Sequence, residues 1–235
     1  MLIKYVTKMV AHQAGLAATF LPKPLYGVSG SGMHFHQQLF AQDTNLFYAA
    51  SEKNHLSQAA LFYNGGLLSH APAVMALTNP STNSYRRLVP GFNAPTGRFF
   101  STSQRAAAVR IPAYAQNPQD LRFEFRPPDG TCNPYLAIAA MLMAGMTGMQ
   151  DHIDPISAGF GPIEAGALPP LEQVKSLPTS LGDAIDSLEN DHQFLLQSAV
   201  FDERLIREWI QTRREEILAV EGRPHPFEVQ YYFDL

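Results

Sequence analysis

The chain has 235 residues and a mass of 26.0 kDa, enough for one large domain or two small ones with a sizeable buried core. Its net charge of −4 argues against a basic surface for nucleic acid, and its single cysteine excludes an internal disulfide and a thiolate metal cluster. No apolar run reaches the roughly 18 residues that a membrane span needs, and the N-terminus lacks a signal-peptide pattern, so we expect a cytoplasmic protein that binds neither membrane nor nucleic acid.

Helical spacing of apolar residues dominates the first third of the chain. LIKYVTKMVAHQAG predicts a helix that stops at Gly15. The stretch GVSGSGMHFHQQLF then predicts a His-x-His strand after a glycine-rich turn. LSQAALFYNGGLLSHAPAVMALTNP predicts one or two buried helices, broken near Gly65 and Gly66.

The rest of the chain alternates loops, strands and helices. A loop-rich region, NSYRRLVPGFNAPTGRFF, precedes two predicted strands, AAAVRIPAYA and LRFEFRPP, and PYLAIAAMLMAGMTGM predicts a helix buried on most sides. Residues 154–180 are rich in Pro, Gly and Ser and predict an exposed loop or linker. LGDAIDSLEND and DERLIREWIQTRREEILAV predict amphipathic helices, and PFEVQYYFDL predicts a strand-like tail.

The His-x-His pair is the first candidate for chemistry. Successive side chains of a strand point to opposite faces, so His34 and His36 share one face while Met33 and Phe35 pack on the other. Such a pair is weak evidence for a metal by itself, because histidines with structural roles are commoner than ligands.

The segment RFEFR has the same alternation with charged residues. Arg122, Glu124 and Arg126 fall on one face, and Phe123 and Phe125 fall on the other. Either this is a solvated sheet face with paired charges, or bound anions or a cation complete the set.

Four arginines flank a Pro-Gly loop in YRRLVPG and SQRAAAVRIP, at Arg86, Arg87, Arg105 and Arg110. Each alone is more readily structural, but together they suit bidentate binding of carboxylates and phosphates. With a histidine and a glutamate that could hold a divalent cation, they favour phosphoryl transfer to a carboxylate. Neither a Walker loop nor a G-x-G-x-x-G fingerprint occurs, so any nucleotide is held in another way.

At these residues the sequence resembles the glutamine synthetase family in its bacterial type I form. The resemblance rests on KPLYGVSGSGMHFH, NPSTNSYRRLVPGFNAP, QRAAAVRIP and RFEFRPPDGTCNPYLAIAAMLMAG, in the family's order, and extends to the tail PHPFEVQYYFDL. It implies an α+β fold in which a curved antiparallel sheet surrounds the site and helices pack outside. Residues 1–235 would form the C-terminal portion of the catalytic domain, without the family's N-terminal β-rich domain and early catalytic strands.

The resemblance also implies the chemistry and the site residues. ATP would phosphorylate glutamate with the help of Mg²⁺ or Mn²⁺, and ammonia would displace the phosphate, in a homo-oligomer. His34 and Glu124 would ligate the metal. The substrate contacts would be Gly30, His34, Arg87 and Arg126 for glutamate and Arg105, Arg110 and Arg122 for the phosphates, with Arg105 and the residue at position 93 acting in catalysis.

The sequence departs from the family pattern at several positions. Asn93, in PGFNAP, stands where the family carries a loop glutamate that takes a proton from ammonium, and an amide cannot act as that base. Ser29, Gln38 and Gln119 also replace the residues usual in the family. We therefore expect this chain alone to be incomplete as an enzyme. Two alternatives stay open, namely ligation of glutamate to another amine and a degenerate binding or assembly module without turnover.

Overall fold

A computed structural model describes residues 1–115, 117–164, 174–197 and 199–235. The eight α-helices in these ranges are α1 Leu2–Gln13, α2 Gln58–Ser69, α3 Ala71–Thr78, α4 Thr82–Arg87, α5 Pro134–Gln150, α6 Leu181–Asn190, α7 Glu203–Glu221 and α8 Pro226–Tyr232. The strands are β1 Phe35–Gln37, β2 Phe40–Ala41, β3 Thr44–Asn45, β4 Gly97–Ser101, β5 Ala107–Arg110 and β6 Phe123–Phe125. The predicted α+β class is confirmed.

Four strands form one open sheet in the order β1-β6-β5-β4. The β1–β6 and β5–β6 pairs are antiparallel, whereas β4 and β5 are parallel, so the sheet is mixed and the expected antiparallel pairing holds for only part of it. The chain returns from β4 to β5 through only five residues, 102–106. Parallel neighbours usually need a connection of about a dozen residues or more, which is why the sequence did not predict this pairing.

Alternation along β6 places the core and the site on opposite faces of the sheet. Phe123 and Phe125 are fully buried, and the Phe123 ring lies 5.0 Å from that of Phe47. Met33 and Phe35 pack against the same core, as the alternation of the His-x-His segment predicted. The opposite face carries the charged residues of both strands.

The helices behind the sheet depart from prediction at one joint. Helix α2 runs through Gly65 and Gly66 without a break, and the chain turns only at His70, after which α3 starts with Pro72 in its first turn. The glycines instead allow two helices to touch, because a side chain at Gly66 would collide with the backbone of α5 at Ala144 and Gly148. Close approach of backbones thus explains glycines that resemble a helix break in the sequence.

Two further predictions need correction. Helix α5 is buried on one face only, and its outer face exposes Tyr135, Ile138, Leu142 and Met146. The tail is the helix α8 and not a strand. Its first turn contains Pro226, a favoured position for proline, and His225 caps it by accepting a hydrogen bond from the Phe227 amide.

Helix α7 is docked through its first half. Trp209 of this helix donates a 3.0 Å hydrogen bond from its indole Nε1 to the Ala76 carbonyl of α3. The Arg213 guanidinium lies 4.9 Å from the centre of the same indole. The predicted loop at 154–180 is described only in part, as turns and irregular backbone at 154–164 and 174–180, and the remainder lies outside the described residues. Across the ranges that are described, none of the helices combines the length and the apolar character of a bilayer span.

The α2–α5 contact generates a prediction about stability. We expect Gly148→Ala to lower the free energy of unfolding by about 1–3 kcal/mol, because the new methyl group must displace the backbone of α2. The matched control is Gly182→Ala in α6, where an added methyl group meets only the Ser180 hydroxyl at 3.5 Å. Gly182→Ala should be neutral or stabilising by up to about 1 kcal/mol in denaturant titrations, and equal losses in both variants would contradict the tight α2–α5 contact.

Candidate functional site

A cavity of about 420 Å³ opens on the charged face of the sheet. The turn before β1, the end of α4, the loop after α4 and strands β5 and β6 surround it. Its lining residues are Ser29, Gly30, Gly32, His34, Arg87, Phe92, Asn93, Ala94, Arg105, Arg110 and Arg126. Four of these are arginines, so the cavity is strongly positive.

Glu124 on β6 is the carboxylate that contacts three of the lining residues of this cavity. Its Oε1 atom lies 2.7 Å from His34 Nδ1 and accepts a 2.9 Å hydrogen bond from Arg126, while Oε2 accepts a 3.2 Å bond from Arg110. The Glu124 side chain is only 6% exposed. The three bonds account for both carboxylate oxygens.

These contacts determine the protonation of Glu124. Burial by itself would raise the pKa of the carboxyl group, but the hydrogen bond from His34 and the charges of Arg126 and Arg110 outweigh burial and lower the pKa to about 2. Glu124 is therefore ionised at neutral pH. Its single charge partly compensates the two arginines that contact it.

The two histidines have different environments. The Nδ1 atom of His34 faces Glu124, which leaves Nε2 as the nitrogen available to a ligand. His36 Nδ1 accepts a 3.2 Å hydrogen bond from Arg122, and burial is the main cause that lowers its pKa. Arg122 also donates to the Tyr114 hydroxyl at 3.2 Å. Arg122 thus lies beside the cavity and does not line it.

Arg87 is held by the backbone more than by side chains. Its two terminal nitrogens donate to the carbonyls of Arg126, Pro127 and Pro128 at 3.0, 2.7 and 3.2 Å. The residue is 5% exposed, and burial lowers its pKa to about 10. Arg87 therefore positions the segment after β6 while it forms part of the cavity wall.

Two glycines let the chain cross over Arg87. A side chain at Gly30 would lie 2.9 Å from Arg87 Cγ, and one at Gly32 would collide with the Arg87 guanidinium and lie 2.8 Å from His34 Nε2. The sequence identified Gly30 through the resemblance. Gly32 was missed, although the second glycine of SGSGM was its signal.

Asn93 lies on the opposite wall in a loop with an unusual backbone. Its φ is +55°, a left-handed conformation that asparagine adopts more readily than most residues. Its backbone carbonyl accepts a 3.3 Å hydrogen bond from Arg126. The neighbouring Phe92 contacts the Lys23 ammonium at 3.9 Å from the ring centre, and nothing in the sequence pattern indicated that Phe92 lines the cavity.

Most of the residues singled out in the sequence meet at this cavity. Of the nine residues to which the resemblance gives a role, seven line it, namely Gly30, His34, Arg87, Asn93, Arg105, Arg110 and Arg126. Glu124 is not among the lining residues but contacts three of them, with 2.7 Å between its Oε1 atom and His34 Nδ1. Arg122 lies outside the lining.

The cavity suits anions first and a cation second. The Nε atoms of Arg110 and Arg126 are buried and have no partner among the described residues, so Glu124 satisfies only part of the hydrogen-bonding capacity of these two guanidinium groups. A histidine nitrogen beside a carboxylate also fits a divalent cation such as Mn²⁺. Nowhere in the described ranges do three or more His, Cys, Asp or Glu side chains meet in a way that could hold a metal, so His34 and Glu124 fit only part of such a site.

Comparison with known proteins gives one consistent family. The family described as "Glutamine synthetase, catalytic domain" matches residues 1–232. A glutamine synthetase from Mycolicibacterium smegmatis is 48% identical over 100% of this chain and 49% of its own length. One from Nostoc is 47% identical and is covered over 50% of its length. The chain thus spans about half the length of these curated relatives.

A solved structure agrees with the sequence comparisons. The cryo-EM structure of Plasmodium falciparum glutamine synthetase superposes with a TM-score of 0.85 at 28% sequence identity. The match covers 97% of this chain and 52% of that chain.

The Glu124 contacts generate a prediction about pH. Because folding lowers its pKa from 4.5 to about 2, Glu124 contributes stability that is present above pH 4.5 and lost as the pH falls towards 2. In metal-free buffer we expect Glu124→Gln to lower the free energy of unfolding by about 2–3 kcal/mol at pH 7. The difference from the unmodified chain should shrink across that window.

Denaturant titrations at several pH values measure this difference. Glu208→Gln is the control, because the Glu208 side chain is exposed and its carboxylate pairs, among the described residues, with Arg204 alone, so its effect should be small at every pH. A Glu124→Gln effect that stays constant from pH 7 to pH 2 would contradict the charge-based explanation.

Proposed function

The chain belongs to the glutamine synthetase family, and from that membership we propose that it forms the part of a ligase that binds glutamate and the phosphates of ATP. The proposed reaction joins ammonia to glutamate through a γ-glutamyl phosphate. Residues 1–235 would be the C-terminal portion of the catalytic domain.

The observation that supports this proposal most directly is the balance of charge in the cavity. Four arginines line it, and among the described residues Glu124, which three groups already bond, is the only carboxylate that forms an ion pair with any of them. The surplus of positive charge requires anionic ligands, since uncompensated charges are costly where water is scarce. Glutamate and a polyphosphate together supply such anions.

The residues divide into two groups by position. Gly30, His34, Arg87 and Arg126 surround one side and are proposed to hold the carboxylates of glutamate, with the glycine leaving room for the substrate. Arg105 and Arg110 lie towards β5 and are proposed to hold the phosphates. Arg122, which contacts His36 and Tyr114, is proposed to reach the same nucleotide from beside the cavity.

A divalent cation, Mg²⁺ or Mn²⁺, is proposed to complete the site. His34 and Glu124 would hold it, and the ion would neutralise charge on the phosphates during transfer. An ion shared by the two residues requires His34 Nδ1 and Glu124 Oε1 to give up their 2.7 Å contact and to bond the ion instead. Because the described residues offer only these two ligands, we propose that the 235-residue chain alone does not turn over.

Two alternatives to ammonia ligation follow from Asn93. An amide at this position cannot accept the proton of ammonium, so another amine could be the acceptor, or the chain could be a binding or assembly module without turnover. The left-handed backbone of Asn93 supports a retuned loop, because it suits asparagine and strains glutamate.

The cellular location, the partners and the oligomeric state of the protein are also matters of proposal. We propose a cytoplasmic homo-oligomer that binds neither nucleic acid nor membrane. The exposed apolar residues Leu2, Tyr5 and Val6 on α1 and Phe227 and Tyr231 on α8 support association. A strictly monomeric species in sedimentation at high protein concentration would contradict it.

The charge balance predicts binding of a simple polyphosphate. We expect the chain to bind inorganic tripolyphosphate in calorimetric titrations, and Arg105→Ala and Arg110→Ala each to weaken binding about tenfold, the loss typical of a charge-assisted contact. Arg207→Ala is the control, because Arg207 is exposed on α7. Absence of saturable binding, or equal effects of Arg207→Ala and Arg105→Ala, would contradict the proposed function.

The amide at Asn93 generates a prediction about the effect of a carboxylate at this position on turnover. We expect Asn93→Glu to give no glutamine synthesis in the 235-residue chain. In a form extended to the length of the relatives, we expect it to raise ammonia-dependent turnover by about 10²–10⁴, the usual contribution of a positioned proton acceptor. Asn93→Gln has the same backbone strain without the charge and should give no gain. Faster turnover with asparagine than with glutamate would point to another amine as the acceptor.

A further inference from the structure

We propose that Glu164 is the residue that positions Arg105, by fixing the five-residue link between the parallel strands β4 and β5. The inference rests on the proposed role of Arg105 at the phosphates. Glu164 lies about sixty residues further along the chain and outside the cavity lining, so neither the sequence pattern nor the cavity itself points to it.

The link needs external support because of its geometry. Residues 102–106 must carry the chain from the end of β4 back to the start of β5, and the register pairs Gly97 with Ala107. A chain spans at most about 3.6 Å per residue, so five residues leave little slack for this return. At the end of the link the Ala106 carbonyl accepts hydrogen bonds from the amides of Thr96 and Gly97, each at 3.0 Å. Residues 102–104, earlier in the link, are held by side chains.

One set of bonds comes from the last residue of β4. The Ser101 hydroxyl is fully buried and accepts hydrogen bonds from the amides of Ser103 and Gln104 at 3.1 and 3.0 Å. This turns the chain sharply at the end of the strand. It does not restrain the side of the link that faces away from the sheet.

The second set comes from Glu164. Its Oε2 atom accepts hydrogen bonds from the Thr102 hydroxyl at 2.5 Å and the Ser103 hydroxyl at 3.3 Å, and its carbonyl accepts a 3.2 Å bond from the Gln104 side-chain amide. Three consecutive residues that directly precede Arg105 thus bond a single residue. A carboxylate that accepts hydroxyl donors forms stronger bonds than a neutral acceptor does.

Glu164 is itself held against the sheet. The Phe100 amide donates to the Phe160 carbonyl at 2.9 Å, and the Ile163 amide donates to the Phe100 carbonyl at 3.1 Å. The segment that carries Glu164 is therefore fastened to β4 at Phe100, two residues before the first residue of the link. Glu164 and the link form one unit with the sheet.

The Ala106 carbonyl restrains the backbone after Arg105, and Glu164 restrains the backbone before it, whereas the Arg105 side chain has no restraint of its own within the described ranges. That side chain is exposed at the cavity and has no hydrogen-bond or ion-pair partner among the described residues. The backbone of the link therefore determines the position from which the Arg105 side chain extends into the cavity. Glu164 is thus a positioning residue for Arg105 and does not touch the ligand.

The test compares local order with ligand binding in the same variants. Trypsin cleaves after arginine, so the initial rate of cleavage of the Arg105–Ala106 bond, followed by mass spectrometry, reports opening of the link. We expect Glu164→Ala and Thr102→Val to raise this rate about tenfold, and Glu164→Gln to raise it less because its amide oxygen still accepts. Glu221→Ala, at the exposed end of α7, should leave the rate unchanged.

Combination of the two changes makes the test specific. Because Thr102 and Glu164 act through one hydrogen bond, the double variant should cleave no faster than Glu164→Ala alone. Circular dichroism identifies any variant that fails to fold, and Glu164→Gln and Thr102→Val keep the proposal testable in that case. A rate after Arg105 within about twofold of the unmodified chain in both Glu164→Ala and Thr102→Val would overturn the proposal.

Titration with inorganic tripolyphosphate separates this proposal from the proposed function. Affinity should fall several-fold in Glu164→Ala, in the same order as the cleavage rates, and should be unchanged in Glu221→Ala. If Arg105→Ala weakens binding and Glu164→Ala does not, Glu164 does not position Arg105. If the link opens as expected but the unmodified chain binds no tripolyphosphate, the proposed function is overturned, while the contact between Glu164 and the link is supported.

Discussion

The Glu124 carboxylate allows several cationic groups to share one cavity. Two guanidinium groups at contact distance would otherwise repel each other by about 4 kcal/mol at the dielectric typical of protein surfaces. Glu124 bonds Arg110 on one oxygen and Arg126 on the other, and it orients His34 at the same time. The two arginines are thereby fixed with their Nε atoms still unpartnered among the described residues. One buried carboxylate thus orders a site in which positive charges still outnumber negative ones.

Much of this arrangement could be predicted from local sequence. Alternation in RFEFR and in the His-x-His segment placed Glu124 and His34 on one sheet face and the phenylalanines in the core, because a strand has a strict period of two. The resemblance to a family then assigned roles that alternation alone leaves open. Amphipathic helices α6 and α7 were equally predictable from their apolar spacing.

The features that were not predictable depend on contacts between distant segments. Arg87 looks in the sequence like any other ligand-binding arginine, and only the folded chain reveals that its nitrogens bond backbone carbonyls after β6. Gly66 resembles a helix break until α5 is placed against it. The parallel pairing of β4 and β5 contradicts the usual rule for short connections, so no local pattern could suggest it.

The docking of α7 has a consequence for spectroscopy. The chain contains a single tryptophan, and that residue bonds the α3 backbone on the helical side of the sheet. Intrinsic tryptophan fluorescence therefore monitors the contact between α7 and α3. The arginine-lined cavity contains no indole that would report on ligand binding there. A change in this emission when a small anion is added would consequently mean that occupancy on one face of the sheet is transmitted to the helices on the other.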